Sequence, residues 1–218
     1  MNKSEAFWDK ASKNYDKTEE RFKHIHETTR EKTQKYLKAT DIVLDYGCGT
    51  GTKSCELAHL VKEIQGIDIS SNMIEIAKGK ANKLEIDNAN FYQTAIFDDR
   101  FKVRSFDVIL AFNMLHTVPK PRSVVRRIDE LLKPGGLFIS VTPCLQERMS
   151  FLVSLQIYLV RILSKVKLIP IPIRRLESAD LDHLIKFGNF EAIEAEKIYS
   201  GASSYFIASK TTQKTNQI

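Results

Sequence analysis

The chain has 218 residues, of which 43% are hydrophobic and 28% charged, so one packed domain is predicted rather than a long disordered segment. The formal charge of +6 comes from Lys and Arg residues scattered along the whole chain, and without a dense basic block no nucleic-acid partner is expected. The three cysteines form no CxxC pair, which argues against a disulfide framework and a structural zinc site, so no metal is expected. These features and the absence of a signal-peptide-like apolar core in residues 1–17 predict a cytoplasmic location.

Predicted strands and helices alternate along the chain. Short apolar runs between turn residues predict strands over residues 41–45, 64–69, 90–94, 105–112, 137–142, 190–198 and 203–209. Apolar residues at helical spacing predict helices over 27–38 and 53–62, after an N-cap at Ser70 or Ser71, and from about residue 122 to Pro134-Gly135-Gly136. Strands separated by helices pair in parallel. The prediction is therefore an α/β fold, doubly wound, with a mostly parallel seven-stranded sheet and an antiparallel hairpin at its edge.

The predicted domain organisation is a single domain over residues 1–210, with an N-terminal helical lid over 1–38 and a tail over 211–218. An apolar helical insert over 145–175 interrupts the alternation. Its helix, Met149 to Leu163, is rich in large apolar residues and has only a narrow polar stripe. A helix of this length spans about 22 Å, less than the roughly 30 Å of a bilayer core, so a membrane-spanning role is not expected.

The strongest motif is VLDYGCGTG at Val43 to Gly51, a predicted strand that leads directly into three alternating glycines. A glycine lets a ligand approach the backbone of such a turn, and in open α/β sheets ligands bind at the carboxyl ends of the strands. Asp68, at the end of the next strand, supplies a carboxylate that can accept hydrogen bonds from both hydroxyls of a ribose. Together these residues predict a nucleoside site.

This segment resembles the first motif of the class I S-adenosylmethionine-dependent methyltransferases, and GIDIS at Gly66 to Ser70 resembles the second. SFDVILAFNMLHTV at Ser105 to Val118, LLKPGG at Leu131 to Gly136, and the closing hairpin continue the resemblance, which covers roughly residues 7–208. The opening FWDKASKNYD is similar to the branch that includes quinone-biosynthesis and other small-molecule methyltransferases. The resemblance implies S-adenosylmethionine as cofactor, S-adenosylhomocysteine as product and in-line transfer of a methyl group to a small-molecule acceptor.

The resemblance also implies the site residues. Asp45, Gly47 and Gly49 would line the methionine end of the cofactor, Asp68 would bind the ribose, and Ile69 and Met73 would flank the adenine. The remaining cofactor-site candidates are Cys48, Thr94, Ala95, Ile96, Asn113 and, from the lid together with Trp8, Tyr15. Thr94 departs from the Asp that relatives often carry there, which leaves backbone contacts from Ala95 or Ile96 as the alternative to a side-chain contact with the adenine. His116 is the candidate catalytic base, whereas His24 and His26 are expected to be solvated on a charged helix.

Other functions compete with methyl transfer. An NAD-dependent oxidoreductase also places glycines after the first strand, but its fingerprint is GxGxxG rather than the GxGxG found here. An aminopropyltransferase would need acidic residues for a polyamine, and none cluster in NMLHTVPKPR after the fourth strand. A non-catalytic protein that only binds S-adenosylmethionine stays open.

The insert predicts the kind of acceptor. Its large side chains offer more apolar surface than one helix face needs, which favours a hydrophobic acceptor such as a lipid or a quinone-like compound. Contact with a membrane surface through residues 149–175 is one interpretation, and a lid or a dimer contact is the alternative. The identity of the acceptor, the atom that is methylated and the oligomeric state do not follow from the sequence.

Overall fold

A computed structural model describes residues 3–147, 149–165, 170 and 172–213 of the chain. Seven strands form a single sheet, and eight α-helices are described around it. The strands are β1 (Ile42–Tyr46), β2 (Glu63–Asp68), β3 (Ala89–Gln93), β4 (Phe106–Phe112), β5 (Leu132–Pro143), β6 (Phe190–Tyr199) and β7 (Ser203–Thr211). The helices are α1 (Lys3–Ser12), α2 (Tyr15–Glu19), α3 (Lys23–Gln34), α4 (Thr52–Leu57), α5 (Ser71–Lys83), α6 (Pro121–Leu131), α7 (Phe151–Lys165) and α8 (Ser178–Phe187).

The strand order is β3-β2-β1-β4-β5-β7-β6. The first five strands in this order pair in parallel, whereas β7 runs antiparallel to both β5 and β6. The predicted fold class and the edge hairpin are therefore confirmed. Since the order reverses between β1 and β4, their carboxyl ends border the crevice in which open α/β sheets bind ligands.

The core occupies both faces of the sheet because successive residues of a strand point to opposite sides. Val43 and Leu44, neighbours in β1, are both fully buried. Leu44 belongs to a cluster with residues of α6 and α8, whereas Val43 packs in a second cluster with residues of α4 and α5. Two helical layers thus hold the central strands and fix the positions of their carboxyl ends.

Several predicted boundaries differ from the structure. Helix α6 ends at Leu131, ahead of the Pro134-Gly135-Gly136 stop, and β5 already begins at Leu132. Strand β5 accommodates these residues through a register shift against β4, with Gly135 at a φ of +76°. Helix α8 was not predicted; a reciprocal capping box between Glu177 and Asp180 begins it.

The start of the predicted tail is wrong. Thr211 is the last residue of β7, and its buried Oγ1 donates a hydrogen bond of 2.5 Å to Asp129 Oδ1. The side chain of Gln213 also donates to the Asp129 carbonyl at 2.5 Å. These contacts extend the ordered domain through residue 213, and the rest of the predicted tail, 214–218, lies outside the described residues.

The N-terminal 38 residues contain three helices where the sequence predicted one, over 27–38. That helix, α3, begins at Lys23 and ends at Gln34. It is fastened to the edge of the sheet by Lys32, whose Nζ lies 2.7 Å from Glu194 Oε1, and by Tyr36, whose hydroxyl donates to Glu194 at 2.6 Å. The N-terminal helices are thus anchored at the far edge strand as well as near the glycine turn.

Candidate cofactor site

The glycine-rich turn joins β1 to α4 and bends back onto β2. The backbone N–H groups of Gly47 and Cys48 both donate to the carbonyl of Ile67, at 2.8 and 3.0 Å. Gly47, Gly49 and Gly51 have φ values of +75°, +54° and +73°, a region that side chains rarely tolerate. The predicted glycine turn is therefore a backbone requirement of this strand-to-helix connection.

The three glycines differ in what surrounds them. A Cβ on Gly51 would lie 2.6 Å from the Ala77 Cβ and 2.9 Å from the Phe91 ring, so this glycine permits close packing on α5 and β3. A Cβ on Gly47 would come within 3.1 Å of the Met114 side chain, and one on Gly49 within 3.4 Å of the Tyr15 ring. Gly47 also borders open space, because it lines the cavity at this edge of the sheet.

A cavity of about 560 Å³ lies at the carboxyl ends of β1, β4 and β5, under α2 and α3. Its size is that of a small-molecule or cofactor pocket. Five of the predicted site residues line it: Tyr15, Asp45, Gly47, Cys48 and Asn113. The structure therefore brings Tyr15, the glycine turn and the end of β4 together around one cavity.

Asn113 holds an unusual backbone conformation at the cavity wall. Its φ is +54°, and its N–H donates a 2.8 Å hydrogen bond to the carbonyl of Val141 on β5. Left-handed conformations of non-glycine residues are uncommon and tend to occur where the surrounding structure imposes them, often at functional sites. The bend turns the chain away from the sheet just where β4 reaches the cavity.

Asp45 is the buried acid of the site. Its side chain is fully enclosed and accepts a hydrogen bond of 2.5 Å from Ser54 Oγ on α4. Burial raises the pKa of this carboxyl to about 6, against the opposing effect of the Ser54 hydrogen bond. Because burial disfavours the charged form of this carboxylate, a cationic group such as the amino group of an amino acid would stabilise it by binding at the cavity wall.

Asp68 lies beside the turn but does not line the cavity. Its carboxylate accepts hydrogen bonds from the backbone N–H of Gly49 at 3.2 Å and of Ser70 at 2.8 Å. Burial raises its pKa, and these hydrogen bonds oppose the shift. Because a carboxylate has about four acceptor positions, Asp68 can still accept a hydrogen bond from a hydroxyl group.

Helix α1 covers the Asp68 side of the turn. Asp9 accepts a 2.6 Å hydrogen bond from Ser70 Oγ and a 3.2 Å bond from the Asn72 N–H, at the N-terminus of α5. Ser70 is also the predicted N-cap, since its Oγ accepts from the N–H of Met73 at 3.1 Å. A carboxylate is stabilised at a helix N-terminus, so Asp9 holds α1 against α5.

The second half of the lid is fastened to the glycine turn. Thr50 Oγ1 donates to Asp16 at 2.6 Å, and Lys80 Nζ lies 2.8 Å from the same carboxylate. Sequence reasoning singled out Tyr15 and Trp8 of the lid but missed Asp9 and Asp16. No local pattern identifies these acids, because their partners lie 34 to 64 residues further along the chain.

The predicted adenine residues are not brought to the cavity. Met73 and Ile96 are buried in the core, and Ile69 and Thr94 are half-buried, whereas Ala95 is exposed. Thr94 Oγ1 donates to Asp98 at 2.5 Å, so the hydroxyl already has a partner. Among the described residues, the site therefore has an open half near Gly47 and a covered half near Asp68.

The structure gives His116 and His26 surroundings other than those expected from the sequence. His116 does not line the cavity, its Nδ1 is buried without a hydrogen-bond partner among the described residues, and burial lowers its pKa to about 4. The prediction that His26 is solvated is wrong, because His26 lines the cavity and its Nε2 lies 2.8 Å from Glu19 Oε2. His24 is exposed as predicted.

Comparison with known proteins identifies the family. A family model described as a methyltransferase domain matches residues 37–187, which is more than half of the chain. The chain belongs to the methyltransferase family. The predicted resemblance to class I S-adenosylmethionine-dependent methyltransferases is thereby confirmed, and the family favours this prediction over a dinucleotide-dependent oxidoreductase.

Individual relatives cover part of this methyltransferase domain. An uncharacterized protein of Methanocaldococcus jannaschii is 36% identical over 134 residues, which are 61% of this chain and 49% of the relative. The ubiquinone biosynthesis O-methyltransferase of Pasteurella multocida is 35% identical over 109 residues, 46% of this chain and 45% of that enzyme. The chain thus spans about half the length of the curated relatives that it matches.

A solved S-adenosylmethionine-dependent methyltransferase from Methanosarcina mazei has the same fold, with a TM-score of 0.64 at 22% identity. The likeness covers 83% of this chain and 96% of that one. S-adenosylmethionine is the cofactor of the family. The glycines of the turn, the cavity beside it and the Asp68 carboxylate all fit a sulfonium nucleoside with an amino-acid tail.

Proposed function

We propose that this protein transfers a methyl group from S-adenosylmethionine to a small, hydrophobic acceptor. The observation that carries the proposal is the cavity of about 560 Å³, in which a buried carboxylate, Asp45, meets a side-chain-free turn at Gly47. Asp45 would hold the amino group of the cofactor, and Asn113 would face its methionine end. Asp68 would accept hydrogen bonds from the ribose hydroxyls.

When bound, the cofactor supplies a methyl group that already carries a good leaving group, so the protein must mainly align the reactants and exclude water. Tyr15 contributes to both tasks, since its ring lies over Gly49 and burial raises the pKa of its hydroxyl, which stays neutral. Phe112 and Val141 give the wall below it an apolar surface for an acceptor. The lid contacts of Asp9 and Asp16 keep these groups together.

A hydroxyl acceptor must lose a proton during transfer, and we assign the role of base to His26, the histidine among the residues that line the cavity. The Glu19 carboxylate lies 2.8 Å from Nε2 and would balance the charge that the imidazole gains when it takes the proton. His116, the base predicted from the sequence, is not among the residues that line this cavity, and in the described part of the chain its buried Nδ1 has no hydrogen-bond partner.

Calorimetric titration with S-adenosylmethionine and S-adenosylhomocysteine tests the cofactor assignment. Both should bind, NAD should not, and Asp68→Ala should weaken both by about tenfold or more, because hydrogen bonds to a charged group contribute roughly 1.5 to 3 kcal/mol. Unchanged affinity in that variant would refute the ribose role. Following labelled methyl groups into a cell extract then separates an enzyme from a protein that only binds the cofactor.

A further inference from the structure

Helix α7 exposes more large apolar side chains than any other described helix of the fold. Six of its apolar side chains are between 39% and 80% exposed, with Phe151 the most exposed. Among the described side chains only Ile157 and Val160 are half-buried, so the helix touches the body of the protein along that line. The opposite side of α7 has nothing packed on it among the described residues.

The exposed side chains form a stripe along the helix. Their spacing is i, i+4, i+7, i+8 and i+11, which places them on one face of an α-helix. The outward stripe consists of Phe151, Leu155, Tyr158, Leu159 and Ile162. A contiguous apolar face of this kind is uncommon on a soluble protein and marks a surface that contacts a membrane or another protein. No described helix is long and apolar enough to cross a bilayer, so α7 would lie along a surface.

The charge of the surrounding segment identifies the partner. Between residues 148 and 176 the chain has no Asp or Glu, and its basic residues are Arg148, Arg161, Lys165, Lys167, Arg174 and Arg175. A second copy of the chain on the stripe would bring two such segments together with no opposite charge to balance them. An anionic lipid surface, by contrast, complements both the apolar stripe and the positive charge.

We propose that α7 is a membrane-surface anchor that inserts its outward stripe into the interface of an anionic bilayer. Tyr158 has an amphipathic ring that suits the headgroup region. The anchor stands on the edge of the sheet that holds the cavity: the N–H of Ser150 donates to the Gly201 carbonyl at 2.8 Å, and the N–H of Arg174 donates to the His116 carbonyl at 2.9 Å. Docking of α7 therefore brings the carboxyl ends of the strands to the bilayer, whichever acceptor the cavity binds.

Flotation of the purified full chain with lipid vesicles tests the anchor. The chain should float with vesicles of phosphatidylcholine and phosphatidylglycerol, and about tenfold less with phosphatidylcholine alone, since each basic residue near an anionic surface adds roughly fivefold. Leu155→Ser with Leu159→Ser should reduce binding to the anionic vesicles by about tenfold or more. A matched pair of exposed aliphatic residues far from α7, Val103→Ser with Ile193→Ser, should leave it unchanged.

Three results would overturn the proposal: no flotation of the unmodified chain, equal flotation of the Leu155/Leu159 variant, or equal binding to neutral vesicles. If the unmodified chain is a dimer by light scattering and does not bind vesicles, and the Leu155/Leu159 variant is a monomer, the stripe is a contact with a second copy of the chain. Circular dichroism and cofactor titration show that the variants are folded, and Phe151→Ser, at the most exposed position, provides an independent single substitution. Because cofactor titration is scored separately, failure of the anchor and failure of the methyltransferase assignment are distinguishable.

Discussion

The two halves of the candidate site are built in different ways. Near Gly47, the ends of β1 and β4 border an open cavity with the buried Asp45 in its wall. Near Asp68, the same turn is covered by α1, which Asp9 fastens to the N-terminus of α5. The sheet therefore fixes the positions of the binding groups, whereas the N-terminal helices determine which of these groups a ligand can reach.

The largest expected effect is at the turn itself. Gly47→Val should weaken S-adenosylmethionine binding by about a hundredfold or more, because a branched side chain is strained at a φ of +75° and would crowd Met114 and the cavity. Calorimetric titration measures the loss. Gly79→Ala is the matched control, because nothing lies within 4 Å of its added Cβ. Cofactor affinity should be unchanged in this variant, and the helix propensity of alanine should stabilise α5 by roughly 0.5 to 1 kcal/mol. Wild-type affinity in Gly47→Val would mean that the open half does not bind the cofactor.

A smaller effect is expected at Asp45, where one substitution should change the free energy of unfolding and the cofactor affinity in opposite directions. Because burial raises its folded pKa from 3.8 to about 6, its contribution to stability is fully present below pH 4 and is lost as the pH rises through 6. Asp45→Asn should therefore be more stable than the parent at pH 7, on the order of 2 kcal/mol, and equal to it near pH 4. Urea unfolding at the two pH values measures this, while titration should show weaker cofactor binding. Equal stability at both pH values would contradict the burial argument.

The two histidines give the next comparison. His26→Gln should lower methyl incorporation into a cell extract by about tenfold and leave cofactor affinity unchanged, because only proton removal depends on the imidazole. His116→Gln should leave incorporation within about twofold, provided that circular dichroism shows a folded protein, since His116 is outside the cavity. The reverse outcome would restore the base predicted from the sequence.

The smallest expected effect is at the covered half. Asp9→Ala removes the contacts that hold α1 on Ser70 and Asn72, so cofactor should associate and dissociate faster, each by about threefold, measured by stopped-flow fluorescence of Trp8. Asp99→Ala, at an exposed carboxylate, is the control and should change neither rate. Unchanged rates in Asp9→Ala would show that α1 does not control access to Asp68.

Local sequence patterns were enough to predict the sheet, the glycine turn and the resemblance to the family. Every predicted strand is present, with its ends shifted by up to a few residues, because apolar periodicity and turn residues act locally. The glycines and the Ser70 cap were found for the same reason, since each responds to the backbone of its own segment. The first five residues of β5, 132–136, and helix α8 were missed, because a bulge and a capping box leave only weak local signals.

Which groups face the cavity, and which described surfaces are exposed, could be read only from the folded chain. The choice of His26 over His116, and the contacts of Asp9 and Asp16, depend on pairs of residues from distant segments or on burial by several elements. The apolar character of α7 was evident from the sequence, but hydrophobicity alone does not say whether a helix is buried or exposed. That outcome depends on whether another element packs on it, which is a property of the folded chain.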